Sequence, residues 1–283
     1  APMRPTLFEI GSLQFGSYVT ALAVAFIVGT LLSVHEANRG ERAFPLTPHA
    51  GLCGFLGALI GAKLFWILQF GQVKDVWRAV LIWEPGLVYY GGLIGGIAGA
   101  AAYVARNHFS YCRTGDIAAP YLALGQGITR IGCFLNGCCW GTVAEDLPWA
   151  VQFPKHSPAH YIQAKEGLIP SGAAESLPVH PTQLYMVLGL ATIFVVLKWQ
   201  LGRKHAFDGV VSLQYFFLYG CLRFVVEFYR GDSARSIFGL TVAQAISLVF
   251  VVGAVVVYMM AVRTGRRPVG SDEAPERSQE TAP

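Results

Sequence analysis

Seven stretches of roughly twenty mostly apolar residues run through this chain, and that is the length an α-helix needs to cross the hydrocarbon core of a bilayer. They cover about 16–34, 50–70, 87–105, 117–134, 181–199, 209–228 and 240–262. A lone helix satisfies its own backbone in lipid, so each is expected to be helical. The rest of the composition agrees. Of 283 residues, 54% are hydrophobic and only 13% charged, against about 25% charged in soluble domains. Such a chain has too little polar surface to cover a water-soluble fold. The net charge of +4 is small, and the basic residues are scattered over loops, which argues against a nucleic-acid partner. The first apolar stretch is followed by no small-residue cleavage pattern and is expected to stay in the mature protein.

Basic residues give an orientation. One set of connections holds Arg39, Arg42, Arg106, Arg113, Lys198, Arg203, Lys204, Arg263, Arg266 and Arg267; the other holds Arg4, Lys74, Arg78, Lys155, Lys165, Arg230 and Arg235 over longer loops. The first set is expected to be cytoplasmic. The N-terminus is then outside and the C-terminus inside, which an odd number of spans requires. The reading is an all-α integral membrane protein: a seven-helix domain over 1–265, with an extracytoplasmic cap of loops and short helices at 136–180. A polar tail at 266–283 is expected to be disordered and cytoplasmic. No repeat and no second soluble domain is apparent.

Charges inside spans cost about 2.5–3.5 kcal/mol each at mid-membrane, so Lys63, Arg130, Arg223 and Glu227 call for a reason. Tyr219, Arg223 and Glu227 are four residues apart, with Arg230 three further on, a spacing that puts them on one helix face. Arg223 and Glu227 can pair, and a guanidinium in a bundle interior is a fork-shaped phosphate binder. Arg130, Cys133 and Asn136 share another face. Tyr90-Gly91-Gly92 opens the third span with Gly95 and Gly96 following; paired glycines there permit a broken or closely approached backbone, whose exposed amides could hold a phosphate. Most other glycines, Gly57 and Gly61 among them, read as helix packing. His180-Pro181-Thr182-Gln183-Leu184-Tyr185 opens the fifth span. By the topology above, all four patterns face the outer half of the membrane and converge on one cavity open to lipid, where the abundant phosphates are lipid headgroups.

These motifs resemble the prolipoprotein diacylglyceryl transferase family over about residues 10–262. The carriers are the Gly-Gly-Leu-Ile-Gly at 91–95, Arg130-Ile-Gly-Cys-Phe-Leu-Asn136 with Gly141, His180-Pro-Thr-Gln-Leu-Tyr185, and Tyr219-Gly-x-x-Arg223-x-x-x-Glu227-Phe-x-Arg230. The resemblance implies transfer of the diacylglyceryl group of phosphatidylglycerol to the lipobox cysteine thiol of a prolipoprotein, releasing glycerol phosphate. The partners would be phosphatidylglycerol and prolipoprotein signal peptides, and the setting a bacterial inner membrane. No metal and no cofactor is implied, and a monomer is expected. Mapped here, Arg130 binds the lipid phosphate, Arg223 stabilises charge on the leaving phosphate and Tyr219 orients it. Tyr90 and His180 complete the catalytic candidates. Asn136, Gly91, Gly92, Gly95, Gln183, Tyr185, Glu227, Arg230 and Lys63 are the substrate-binding ones.

The chain departs from the family pattern at five places. Cys133 stands for asparagine, Cys138 for glutamate, Met186 for glutamate, Lys63 for arginine, and Tyr90 for a histidine proposed as base in some members. A tyrosine with a pKa of about 10 is a poor base at neutral pH, leaving His180 as the spare candidate beside its structural reading as a helix-start residue. Cys133, Cys138 and Cys139 read either as small apolar replacements or as an oxidisable pair or thiol relay at the outer boundary. Three thiols alone make an incomplete zinc site, so no metal is expected. Two rival functions stay open: a related lipid transferase with another acceptor, and an anion transporter or channel using Lys63, Arg130 and Arg223.

Overall fold

The computed structural model describes residues 6–10, 13–39, 46–70, 89–203, 207–232, 235–237 and 239–264. Each of the seven expected stretches is a helix: α1 Ser17–Ala37, α2 His49–Phe70, α3 Tyr89–Arg106, α4 Tyr111–Asn136, α6 Thr182–Leu201, α7 Val210–Glu227 and α8 Val242–Arg263. A short α5, Pro158–Lys165, lies in the 136–180 segment. Five of them (α1, α2, α6, α7 and α8) are long and apolar enough to cross a membrane. Glycine dilutes α3 and polar side chains such as Asp116, Gln126 and Arg130 dilute α4. Bare aliphatic groups face outward, with Leu68 of α2 75%, Leu188 of α6 69% and Val249 of α8 69% exposed, as a lipid-facing surface requires.

The chain is not purely α-helical. Two small antiparallel hairpins, β1 Thr6–Ile10 with β2 Leu13–Gly16 and β3 Arg235–Ile237 with β4 Leu240–Thr241, sit just before α1 and α8. Arg4, Arg42, Lys74, Arg78, Lys204, Arg266, Arg267 and the expected tail at 266–283 lie outside the described residues.

Helix α4 is the centre, packed on α1, α6 and α7, while α8 packs on α7. Ala119 and Ala123 of α4 meet Met186, Leu190, Ile193 and Leu197 of α6 and Val211, Tyr215 and Val226 of α7 in one buried cluster. α4 starts earlier than the expected 117, capped by the Ser110 hydroxyl accepting from the Arg113 N–H. Its first turns hold Asp116, whose carboxylate accepts from the backbone N–H of Gly209 at 2.6 Å and of Ser212 at 2.8 Å. A buried carboxylate so placed satisfies donors at the start of α7 and suits the positive end of that helix.

The α2–α3 pair is joined along a seam of glycine. A Cβ on Gly61 would run into the Gly91 carbonyl and stand 2.8 Å from Gly95 Cα; one on Gly95 would stand 2.9 Å from Gly61 Cα. Backbones this close are the usual basis of helix pairing in lipid, where burial in water gives no drive. α3 is continuous from Tyr89, so of the two readings for Gly91 and Gly92 the close approach is what forms. Gly92 itself has ordinary contact distances of 3.5 Å.

Long helices successive in the chain alternate in direction, and that sorts the polar residues. At one end, Glu36 of α1 pairs with Lys198 of α6 and accepts from the Tyr121 hydroxyl, near the Asp116 cap. Thr47, before α2, bonds Tyr103 of α3 there. The opposite end gathers the N-terminus of α1, the C-terminus of α4, the N-terminus of α6, the C-terminus of α7 and the N-terminus of α8.

Candidate functional site

That second end holds the expected arginines. On α7, Arg223 Nη2 lies 2.8 Å from Glu227 Oε2, the i,i+4 pair read from spacing. Glu227 is almost fully covered; its other oxygen accepts from the Thr241 hydroxyl at 3.0 Å. Arg230 stands 3.8 Å from the same Glu227 oxygen and is held by Asp232, with two bonds of 2.8 and 2.6 Å. Burial disfavours the Arg230 charge, but the Asp232 carboxylate more than offsets this and holds the guanidinium well above its ordinary pKa. Arg130, from the last turns of α4, is close enough to feel Cys133, Cys139, Tyr219 and Arg230, and Arg223 feels Arg130 in turn. Three guanidinium groups are thus grouped around two carboxylates, Glu227 and Asp232. The Arg223 Nη1 atom is buried with no hydrogen-bond partner among the described residues. A buried unsatisfied donor in a cluster with one positive charge in excess has the chemistry that an anion needs.

Tyr219, one turn before Arg223, is stacked on Tyr215 with ring centroids 5.8 Å apart. Arg130, Tyr219, Arg223, Glu227 and Arg230 are therefore brought together.

The end of α4 supplies a second group. The helix closes at Gly137 (φ 73°), and Cys139 is also left-handed (φ 64°). This reversal returns Cys138 and Cys139 over Cys133, and the three sulfur atoms lie within 4.8 Å of one another. The loop is fixed from α6: Gln183 Nε2 donates to the Cys138 carbonyl at 2.8 Å and the Thr182 hydroxyl to the Cys139 carbonyl at 2.7 Å. Hydrogen bonds from Cys133 and Cys138, then the Arg230 and Arg130 charges, hold the Cys139 thiol below the ordinary thiol range. Gln183, expected to bind substrate, is buried beneath this loop, and Asn136 lies against Cys138.

His180 belongs to an aromatic box over the same region. Its Nδ1 is 3.1 Å from the Tyr185 hydroxyl, which accepts from Trp149 Nε1 at 2.9 Å. Tyr229 closes the box, 5.1 Å from the His180 ring and 6.3 Å from Tyr185. Gly141 lets the strands meet here: a Cβ would stand 2.6 Å from the His180 carbonyl and 2.7 Å from that of Tyr229. The cap packs behind it on Trp140, Phe153, Ala159 and Val179.

Gly91, Gly95 and Lys63 sit in the α2–α3 pair, Lys63 fully buried with its ammonium 5.8 Å from the centre of the Trp66 ring; no described contact joins them to the arginine cluster. The Tyr90 side chain lies outside the described residues. Sequence reasoning missed three neighbours. Tyr18 of α1 is near Cys133, Cys138, Cys139 and Arg130, Asp232 orients Arg230, and Tyr229 packs His180. Asp232 alone carried a signal, as an acidic residue two positions after Arg230.

Comparisons with known proteins show the family. A family model described as prolipoprotein diacylglyceryl transferase matches residues 5–260. Proteins named phosphatidylglycerol–prolipoprotein diacylglyceryl transferase are similar throughout. That of Erwinia tasmaniensis is 30% identical over 278 residues, covering 93% of each chain. That of Aliivibrio salmonicida is 31% identical, covering 91% of this chain and 87% of its own. That of Mannheimia succiniciproducens is 32% identical, covering 86% and 85%. On that coverage, this chain belongs to the prolipoprotein diacylglyceryl transferase family.

Proposed function

We propose that this protein transfers the diacylglyceryl group of phosphatidylglycerol to the thiol of a lipobox cysteine in a prolipoprotein. The observation that carries the reading is the buried, unpartnered Nη1 of Arg223 in a three-arginine cluster, on the motifs shared with the family. The reaction breaks a carbon–oxygen bond at the glyceryl carbon bearing the phosphate. Negative charge grows on the leaving phosphate, and preorganised donors stabilise it in a site with little water. Arg130 binds that phosphate and Arg223 meets the developing charge; Glu227 and Asp232 orient Arg223 and Arg230, and Tyr219 borders the site. His180, Tyr185 and Gln183 fix the adjoining walls, with Asn136 at the loop. Tyr90, Gly91, Gly92, Gly95 and Lys63, on the α2–α3 pair, stay candidates on the family motifs alone.

The same reading has seven spans in a bacterial inner membrane, the N-terminus outside, the site in the outer half and a monomer as the working unit. The alternating helix directions support it, because Arg39, Arg106, Arg113 and Arg203 fall at the end away from the site. The test is rescue of a bacterium depleted of its own transferase. The wild-type gene should rescue, and Arg223→Ala should not while its protein level holds. Full rescue by the variant overturns the assignment. A lipobox peptide left unmodified by purified protein with phosphatidylglycerol would favour another acceptor, the reading that the changes at Cys133, Cys138 and Met186 keep in play.

A further inference from the structure

We infer that Cys133, Cys138 and Cys139 form a zinc site whose fourth position is taken by the acceptor thiol. The inference rests on the transferase reading. Three sulfur atoms within 4.8 Å need little adjustment: a tetrahedral zinc with bonds of about 2.3 Å spaces its sulfur ligands about 3.8 Å apart. Their convergence is built. Cys133 is on the last turn of α4, and the reversal through Gly137 and Cys139 is what turns the other two thiols back onto it. Cys139 holds a left-handed conformation that a residue with a Cβ seldom adopts without cause, and such outliers gather at functional sites. Gln183 and Thr182 clamp the carbonyls of the two loop cysteines, the kind of outer support that fixes metal ligands.

The ligand count indicates what kind of site this is. A structural zinc has four protein ligands, whereas a catalytic one has three and an open position. Among the described residues no fourth cysteine, histidine or carboxylate joins the group. Three thiolates on a divalent ion leave one net negative charge, and Arg130 and Arg230, which both act on Cys139, neutralise it. The same two guanidinium groups border the proposed phosphate site, so a thiol bound at the open position would stand beside it. A thiol bound to zinc is deprotonated, and that supplies what Tyr90 is poorly suited to do. In the step, the acceptor thiol gives its proton to water as it binds zinc. Its sulfur then attacks the glyceryl carbon carrying the phosphate ester; the carbon–oxygen bond breaks with its electron pair going to the phosphate oxygen, and glycerol phosphate leaves. The neutral thioether is a weaker ligand and departs.

The test uses the full protein purified in detergent, stripped with a chelator and reloaded with Zn2+ or Co2+. Expected results are about one Zn2+ per chain and a thiolate-to-cobalt charge-transfer band. That band should grow when a lipobox peptide with cysteine is added, and stay unchanged with its serine counterpart. Cys133→Ser, Cys138→Ser and Cys139→Ser should each lower metal affinity by at least about 100-fold, and Gln183→Ala by about 10–100-fold; Cys112→Ser should leave it unchanged. Stripping should lower diacylglyceryl transfer at least about tenfold, and Zn2+ restore it. Three results overturn the inference: no cobalt–thiolate band, thiols found paired as a disulfide in the active protein, or full transfer after stripping. The last leaves the transferase reading standing. Zinc bound with no transfer to any lipobox peptide sinks the transferase reading and, with it, this role for the metal.

Discussion

Arg223→Lys separates what the guanidinium does from what a positive charge does. Arg223 uses Nη2 to hold Glu227 at 2.8 Å and leaves Nη1 buried and unpartnered. Lysine keeps the charge, but its single ammonium is a compact point donor that cannot hold the carboxylate and a phosphate in the same fixed fork. Loss of one donor aimed at developing charge costs about 2.7–4 kcal/mol of transition-state stabilisation, or about 100–1,000-fold in kcat. Glu227 keeps partners in Thr241 at 3.0 Å and Arg230 at 3.8 Å, so the fold should tolerate the change. Alanine is the blunter probe, since breaking a buried ion pair costs about 3–5 kcal/mol of stability. The assay is transfer from phosphatidylglycerol to a lipobox peptide, followed by mass spectrometry with kcat and KM separated, and thermal unfolding run alongside. The expected outcome is a fall in kcat of about 100-fold or more, a modest change in KM and an unfolding temperature near wild type. A lysine variant with kcat within about threefold of wild type and only KM raised would refute the reasoning, because that pattern belongs to binding shared equally by ground and transition states.

Four further outcomes follow. Gly61→Ala should destabilise by about 1–3 kcal/mol, because its methyl group meets the α3 backbone. Gly253→Ala on α8, with nothing within 4 Å, should be neutral or stabilising by up to about 1 kcal/mol; paired thermal unfolding in one detergent compares the signs. Asp116→Asn keeps one carbonyl acceptor for two backbone donors and should lower stability by about 1–3 kcal/mol, yet leave transfer activity within about threefold since it lies at the far end from Arg223. Tyr185→Phe removes the hydroxyl between Trp149 and His180. It should speed hydrogen exchange across the cap segment around 140–153, and unaltered exchange there would show the bridge to be idle.

What the sequence made legible divides along a physical line. The seven helices could be read because each satisfies its own backbone and shows itself as a continuous apolar run, whatever it packs against. Tyr219, Arg223 and Glu227 could be placed on one face because helical spacing is local. α4 was read short because its first turns, with Arg113 and Asp116, look like a polar loop; only the start of α7, brought alongside it, gives Asp116 its two N–H donors. That cap joins residues 93 and 96 apart, which no local pattern encodes. The glycines of α2 and α3 were legible as packing, but not which of Gly91 and Gly92 forms the seam, since that depends on the rotation of one helix against the other.

The cysteines make the same point more sharply. As sequence, Cys133 and Cys138 are two substitutions in a diverged motif with Cys139 beside them, and the natural reading is loss of two polar groups. Their meaning depends on the left-handed turn at Cys139 and on Gln183 and Thr182 reaching across from α6. Neither is a property of residues 133–139 alone. The candidate site depends on helix alternation: five helix ends meet at one end of the bundle, so residues at the ends of α1, α4, α6, α7 and α8 reach the same small volume. The arginines needed only their spacing to be noticed, while the thiols needed the fold to bring them together. The thiols are therefore where this chain's chemistry is most open to differing from that of its relatives, and the cobalt–thiolate band is the observation that distinguishes replacement from a new ligand set.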